Sequence, residues 1–95
     1  MKIIAKQRAA GKTTELIKIA SETDGYIVCI GVDECARIAS EAQDLGLKIN
    51  FPITYNEFKN GEYCKKNIKA FLIDNADSYL QYITPLPIIA ATVSI

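Results

Sequence analysis

The chain contains no histidine. That excludes histidine-based catalytic triads, histidine general bases and most zinc sites. Only three cysteines occur, Cys29, Cys35 and Cys64, with no CxxC pair. An odd count without paired spacing argues against a disulfide framework, and free thiols in a reducing cytoplasm are the simplest reading. An excess of one charge is also lacking, since eleven Lys and Arg balance eleven Asp and Glu. A uniformly basic surface that coats nucleic acid is therefore excluded, as is an acidic tail, while a local nucleic-acid contact stays open. No apolar run reaches the ~20 residues that span a bilayer. The stretch after Lys2 is only Ile3-Ile4-Ala5, too short for the core of a signal peptide, and the apolar tail 85–95 is short as well. A cytoplasmic protein without membrane contact is expected.

What is present is an ordinary globular composition, 49% apolar, in 95 residues. That supports one domain over residues 1–95, with one core and no second lobe. The charge is unevenly spread. Residues 1–20 carry Lys2, Lys6, Arg8, Lys12 and Lys18 against Glu15, a net of +4, whereas residues 21–45 carry a net of −5. The first segment can therefore attract an anion locally.

The pattern alternates strand and helix. Lys2–Ala5 reads as a short strand, followed by a basic turn and a helix over Lys12–Ser21. Tyr26–Ile30 is a continuous apolar run, as expected of a strand buried on both faces. Asp33 is a plausible N-cap for a helix to Leu45, with Cys35, Ile38, Ala39, Ala42 and Leu45 on one face and Gly46 as its stop. Lys48–Thr54 holds at most a short extended piece, because Pro52 disfavours a central strand. Tyr55–Lys59 predicts a short helix ended by Asn60-Gly61. Ala70–Ile73 reads as another buried strand, Asn75–Ile83 as a helix with Ala76, Tyr79, Leu80 and Ile83 inward, and Ile88–Val93 as a last strand. The expected fold is α/β: a three-layer sandwich with a mainly parallel sheet of about four strands and helices on both faces. Tyr55, Phe58, Tyr63 and Phe71 fit core packing better than a base-stacking platform. Lys65, Lys66 and Lys69 fit a solvated surface.

Two stretches carry chemistry. Lys6-Gln7-Arg8-Ala9-Ala10-Gly11-Lys12-Thr13-Thr14 lies between a predicted strand and a predicted helix. The phosphate-binding pattern GxxxxGK[ST] occupies that context, and Gly11, Lys12 and Thr13 match it; Lys6 replaces its first glycine. Amide groups at the start of a helix, with the positive end of its dipole, favour phosphate oxygens. The Lys12 ammonium would reach the outer phosphates and the Thr13 hydroxyl would bind Mg²⁺. The second stretch is the apolar run Ala70-Phe71-Leu72-Ile73 ending in Asp74. This is the Walker B pattern, whose Asp accepts from metal-bound water beside the phosphate loop.

On these residues the chain resembles P-loop NTPases of the RecA/helicase type. Gly11-Lys12-Thr13 stands where their first motif stands. Asp74-Asn75-Ala76-Asp77 looks like a variant of their DEAD-type second motif, and Ala91-Thr92-Val93-Ser94 falls where they carry a polar sensor. Gly11 to Ile17 is also similar to the P-loop helix of type II thymidine kinases. The resemblance implies Gly11, Lys12, Thr13, Thr14 and Arg8 as nucleotide-binding residues, and Thr13 and Asp74, the latter through metal-bound water, as the Mg²⁺ site. The ligand implied is Mg²⁺ with ATP or GTP. It also implies the strand order Tyr26–Ile30, Ala70–Ile73, Ile88–Val93, Lys2–Ala5, with the P-loop strand at an open edge that invites self-association or a protein partner.

The departures qualify the activity. Asn75 stands where a water-polarising Glu is usual, and an amide cannot take a proton. Neither Arg8 nor Arg37 is an evident arginine finger, no second lobe fits for a helicase motor, and the cysteines do not supply the zinc-bearing lasso of the thymidine kinases. The expectation is nucleotide binding with weak or no intrinsic hydrolysis; any stronger NTPase activity would need a partner or a second copy. The alternative is a degenerate P-loop pseudo-enzyme acting as a small protein-binding module, for example a phage or mobile-element accessory or counter-defence protein.

Overall fold

The computed structural model describes residues 1–5, 11–63 and 68–94. Lys6, Arg8, Cys64, Lys65 and Lys66 lie outside the described residues. In chain order the elements are α1 (Lys12–Thr23), β1 (Tyr26–Cys29), α2 (Val32–Asp44), β2 (Ile53–Thr54), α3 (Tyr55–Asn60), β3 (Phe71–Ile73) and α4 (Ala76–Tyr82).

The sheet is parallel, in the order β2-β1-β3. The apolar run of β1 sits at its centre, where both faces are covered. Val28 pairs with Ile53 on one side and with Ile73 on the other. Side chains alternate across the pleat. Ile27 and Cys29 join Ile17 and Ala20 of α1 and Cys35, Ile38 and Ala42 of α2 in one apolar cluster. Val28 joins Ile53 and Tyr55 in a second, extended by Phe58, Phe71, Ile73 and Tyr79. Burying each of the large side chains Ile17, Ile27 and Ile38 contributes ~1.5–3 kcal/mol.

Local signals set the element ends. Helix α2 follows Gly31, which has an extended backbone and makes no side-chain cap; Asp33 lies inside the helix and contributes charge in its first turn rather than the expected cap. Helix α3 begins in a capping box, with Thr54 Oγ accepting from the Glu57 N–H at 3.1 Å and Glu57 Oε1 accepting from the Thr54 N–H at 2.9 Å. Gly61, left-handed at φ 68°, closes that helix. Pro52 precedes the two-residue strand β2, which lies at the sheet edge as the proline requires.

Three expectations are corrected. Lys2–Ala5 and Ile88–Val93 have no regular structure, so the sheet has three strands among the described residues and the implied four-strand order is reduced to the β1–β3 neighbourhood. An apolar run records burial tendency but does not choose a ladder partner. After α4 the side chain of Gln81 takes up the backbone instead: it accepts from the Ile88 N–H at 2.9 Å and donates to the Leu86 carbonyl at 2.7 Å. The third correction concerns α4. None of its residues is buried, and Leu80 and Ile83 are exposed. Among the described residues no helix is long and apolar enough to cross a membrane.

Candidate functional site

Gly11 adopts the left-handed conformation, φ 83°, and turns the chain into α1. A side chain there would be strained by the backbone alone. The first bond of the helix runs from the Glu15 N–H to the Gly11 carbonyl at 3.1 Å. The N–H groups of Lys12, Thr13 and Thr14 therefore precede the helical ladder, at the positive end of the dipole.

Strand β3 brings the second motif to the same place. The Asp74 N–H donates to the Val28 carbonyl at 2.9 Å, which continues the β1–β3 ladder one step past the strand. Asn75 then turns left-handed at φ 55°, a conformation Asn tolerates better than most residues, and α4 starts behind it. The Lys12 Nζ donates to Asn75 Oδ1 at 2.7 Å, joining residues 63 positions apart.

The two motifs line one cleft of about 720 Å³. Gly11, Lys12, Thr13 and Thr14 form one wall, and Asp74, Asn75, Asp77 and Ser78 form another. Helix α2 supplies Glu34, Arg37 and Glu41. Of the residues expected at the site, only Arg8 falls outside the described residues. Glu34, Arg37, Glu41 and Ser78 were not expected there, and Asp77 was named only as part of the second motif. The 34/37/41 spacing puts these three on one helix face, but only the packing of α2 against α1 turns that face to the cleft.

The α2 residues form a network. Arg37 donates to both carboxylate oxygens of Glu34, at 2.6 and 2.9 Å, and its other terminal nitrogen lies 3.3 Å from Glu41 Oε1. The second oxygen of Glu41 accepts from the Thr14 hydroxyl at 2.7 Å. The Arg37 guanidinium holds the Glu34 carboxyl below its ordinary value, and Glu34 in turn raises the pKa of Arg37.

Asp74 is the contrasting group. It is only 3% exposed, and its carboxylate accepts no hydrogen bond among the described residues. Burial pushes its pKa up, and the charge of Glu34 adds to that; Lys12 and Arg37 act in the opposite direction. A buried carboxylate without hydrogen bonds is costly, so it favours either a proton or a cation beside it. Among the described residues the cleft carries four carboxylates against two cations.

Among the described residues no group of three or more Cys, Asp or Glu is placed to hold a metal by itself. Magnesium does not require one, because it usually keeps several waters and takes one or two protein ligands plus phosphate oxygens. Asp74 and Thr13 both line the cleft, and a carboxylate with a hydroxyl is chemically suited to that donor set. No protein-family model, curated protein or solved structure matches the chain.

Proposed function

We propose that the chain binds a nucleoside triphosphate, ATP or GTP, as its Mg²⁺ complex, with weak or no intrinsic hydrolysis. The carrying observation is the meeting of the α1 N-terminus, Lys12 and the buried Asp74 in one cleft. In this reading the amides of Lys12 to Thr14 receive phosphate oxygens. Lys12 exchanges its bond to Asn75 for the outer phosphates. Thr13, and Asp74 through metal-bound water, would hold Mg²⁺, which supplies charge neutralisation on the triphosphate. Weak hydrolysis follows from Asn75, whose amide cannot act as a base, and from Arg37, whose guanidinium is already matched by Glu34 and Glu41.

Titration calorimetry with Mg·ATP and Mg·GTP tests the reading. Binding by the wild type that Lys12→Ala weakens at least tenfold supports it. No heat at millimolar nucleotide rejects it.

A second reading has its own support. Lys12 and Arg37, the cleft cations among the described residues, are already partnered, the second edge of β3 has no strand beside it among the described residues, and apolar side chains of the tail, Leu86, Ile89 and Val93, are exposed. Those features suit a P-loop fold kept as a protein-binding module, of the kind a phage accessory or counter-defence protein would be. The calorimetry separates the two, because this module needs no nucleotide.

A further inference from the structure

Tyr55 lies on the opposite side of the sheet from α1, yet its hydroxyl ends at the cleft's second wall. The residue is the first of α3, and its ring is buried at 1% exposure between Tyr79 and Tyr82, with centroids 5.2 and 5.6 Å away. The phenol donates to the Asp74 carbonyl at 2.5 Å and also lies 3.1 Å from the Asn75 carbonyl. These are the two peptide units of the turn that aims Asp74 at the cleft and presents Asn75 Oδ1 to Lys12.

That turn has little else to hold it. Its N-terminal end is fixed by the Asp74 N–H to Val28. Its C-terminal end is a left-handed asparagine leading into a helix with no buried residue. The Asn75 carbonyl does accept the Tyr79 N–H at 3.1 Å, but that bond comes from the same exposed helix. Tyr55 is thus the one group of the packed core that bonds both carbonyls of the turn among the described residues. Its ring is held from three sides: by the capping box at Thr54, by Val28 and Ile53 beneath it, and by the α4 tyrosines.

The geometry assigns Tyr55 as a positioning residue: its hydroxyl sets the Asp74–Asn75 turn, and through that turn the placement of the Asp74 carboxylate for the metal that accompanies the nucleotide. This rests on the nucleotide reading given above. It goes beyond it by separating two contributions to affinity. The α1 amides and Lys12 act on phosphate whether or not metal is present. The gain from Mg²⁺ depends on Asp74, and so on Tyr55.

The test measures ATP affinity twice, with Mg²⁺ and with EDTA, for wild type, Tyr55→Phe, Tyr79→Phe and Lys12→Ala. Tyr55→Phe keeps the ring and removes only the hydroxyl. It should leave affinity in EDTA unchanged and cut the Mg²⁺-dependent gain by about fivefold to tenfold, the change carried by one hydrogen bond of ordinary net strength. Tyr79→Phe alters a hydroxyl of the same cluster that has no partner among the described residues, and should retain the full gain. Lys12→Ala should weaken both conditions. A thermal melt of each variant reports any general loss of structure, and a purely structural role for Tyr55 would lower the melting temperature while leaving the ratio of the two affinities intact. That unchanged ratio in a wild type that binds nucleotide overturns the assignment alone. Absence of nucleotide binding by the wild type overturns the underlying reading and the assignment with it.

Discussion

Asp74 combines two demands on one side chain. The residue is almost wholly buried, and that burial makes its carboxylate oppose folding when ionised, while the same carboxylate lines the cleft where a cation would sit. The sign of its effect on stability follows from its raised pKa. Above the ordinary value of 3.8 the unfolded chain has released this proton while the native chain still holds it. Stability therefore falls as pH rises through the window from 3.8 to the raised native value, and the loss persists at neutral pH. Asp74→Asn should melt at a higher temperature than wild type at pH 7. The difference should vanish near about pH 3, where both states of the wild type are protonated. The same substitution should abolish the Mg²⁺-dependent part of nucleotide affinity. Asn75 gives a prediction of the opposite kind. Asn75→Glu places a base where the amide stands, and hydrolysis measured by phosphate release should rise at least about tenfold, within the range that a positioned general base contributes. A stability cost accompanies it, because Glu tolerates φ 55° less well than Asn.

At the scale of elements, Thr54 and α3 hold Tyr55 in place. Thr54→Ala removes the Thr54 Oγ half of the capping box and leaves the bond from the Thr54 N–H to Glu57, and the urea midpoint should fall by an amount equivalent to ~0.5–2 kcal/mol with the slope unchanged. Most elements were legible in the sequence. The apolar spacing of Cys35, Ile38 and Ala42 located α2 and its buried face, and Asn60-Gly61 marked the end of α3. Leu45 departs from the expected face because it is the residue at the helix end, where the chain turns at Gly46, φ 70°, and it stays exposed. The two expected strands that do not form, Lys2–Ala5 and Ile88–Val93, show the limit of periodicity: pairing is decided by a neighbour, and Gln81 competes for the tail's backbone. The site was legible where motifs are local, in Gly11 to Thr13 and in Asp74. Arg37, Glu34 and Glu41 were not, since their role depends on how α2 packs on α1. Tyr55 was rightly expected in the core, but nothing in a sequence pattern shows where a buried hydroxyl ends.

The whole molecule is slightly more extended than its length requires. Its radius of gyration is 13.4 Å, against ~12.4 Å for a compact domain of this size. Most of the tail after α4 lies exposed, with Ile89 95% accessible. Exposed apolar residues, and a β3 edge with no strand beside it among the described residues, favour contact with another chain. If the tail and the β3 edge serve that contact, light scattering should show mass rising above 10.5 kDa with concentration, and Leu86→Ser with Ile89→Ser should restore a monomer. A monodisperse monomer whose edge amides exchange freely would count against self-association. The central claim is narrower, that the cleft between the α1 start and the end of β3 is a nucleotide site. Its most direct measurement is an amide nuclear magnetic resonance titration of the labelled protein with Mg·ATP. The account predicts saturable shifts centred on Gly11 to Thr14 and on Asp74 and Asn75. Shifts confined to other surfaces, or none at millimolar nucleotide, would contradict it.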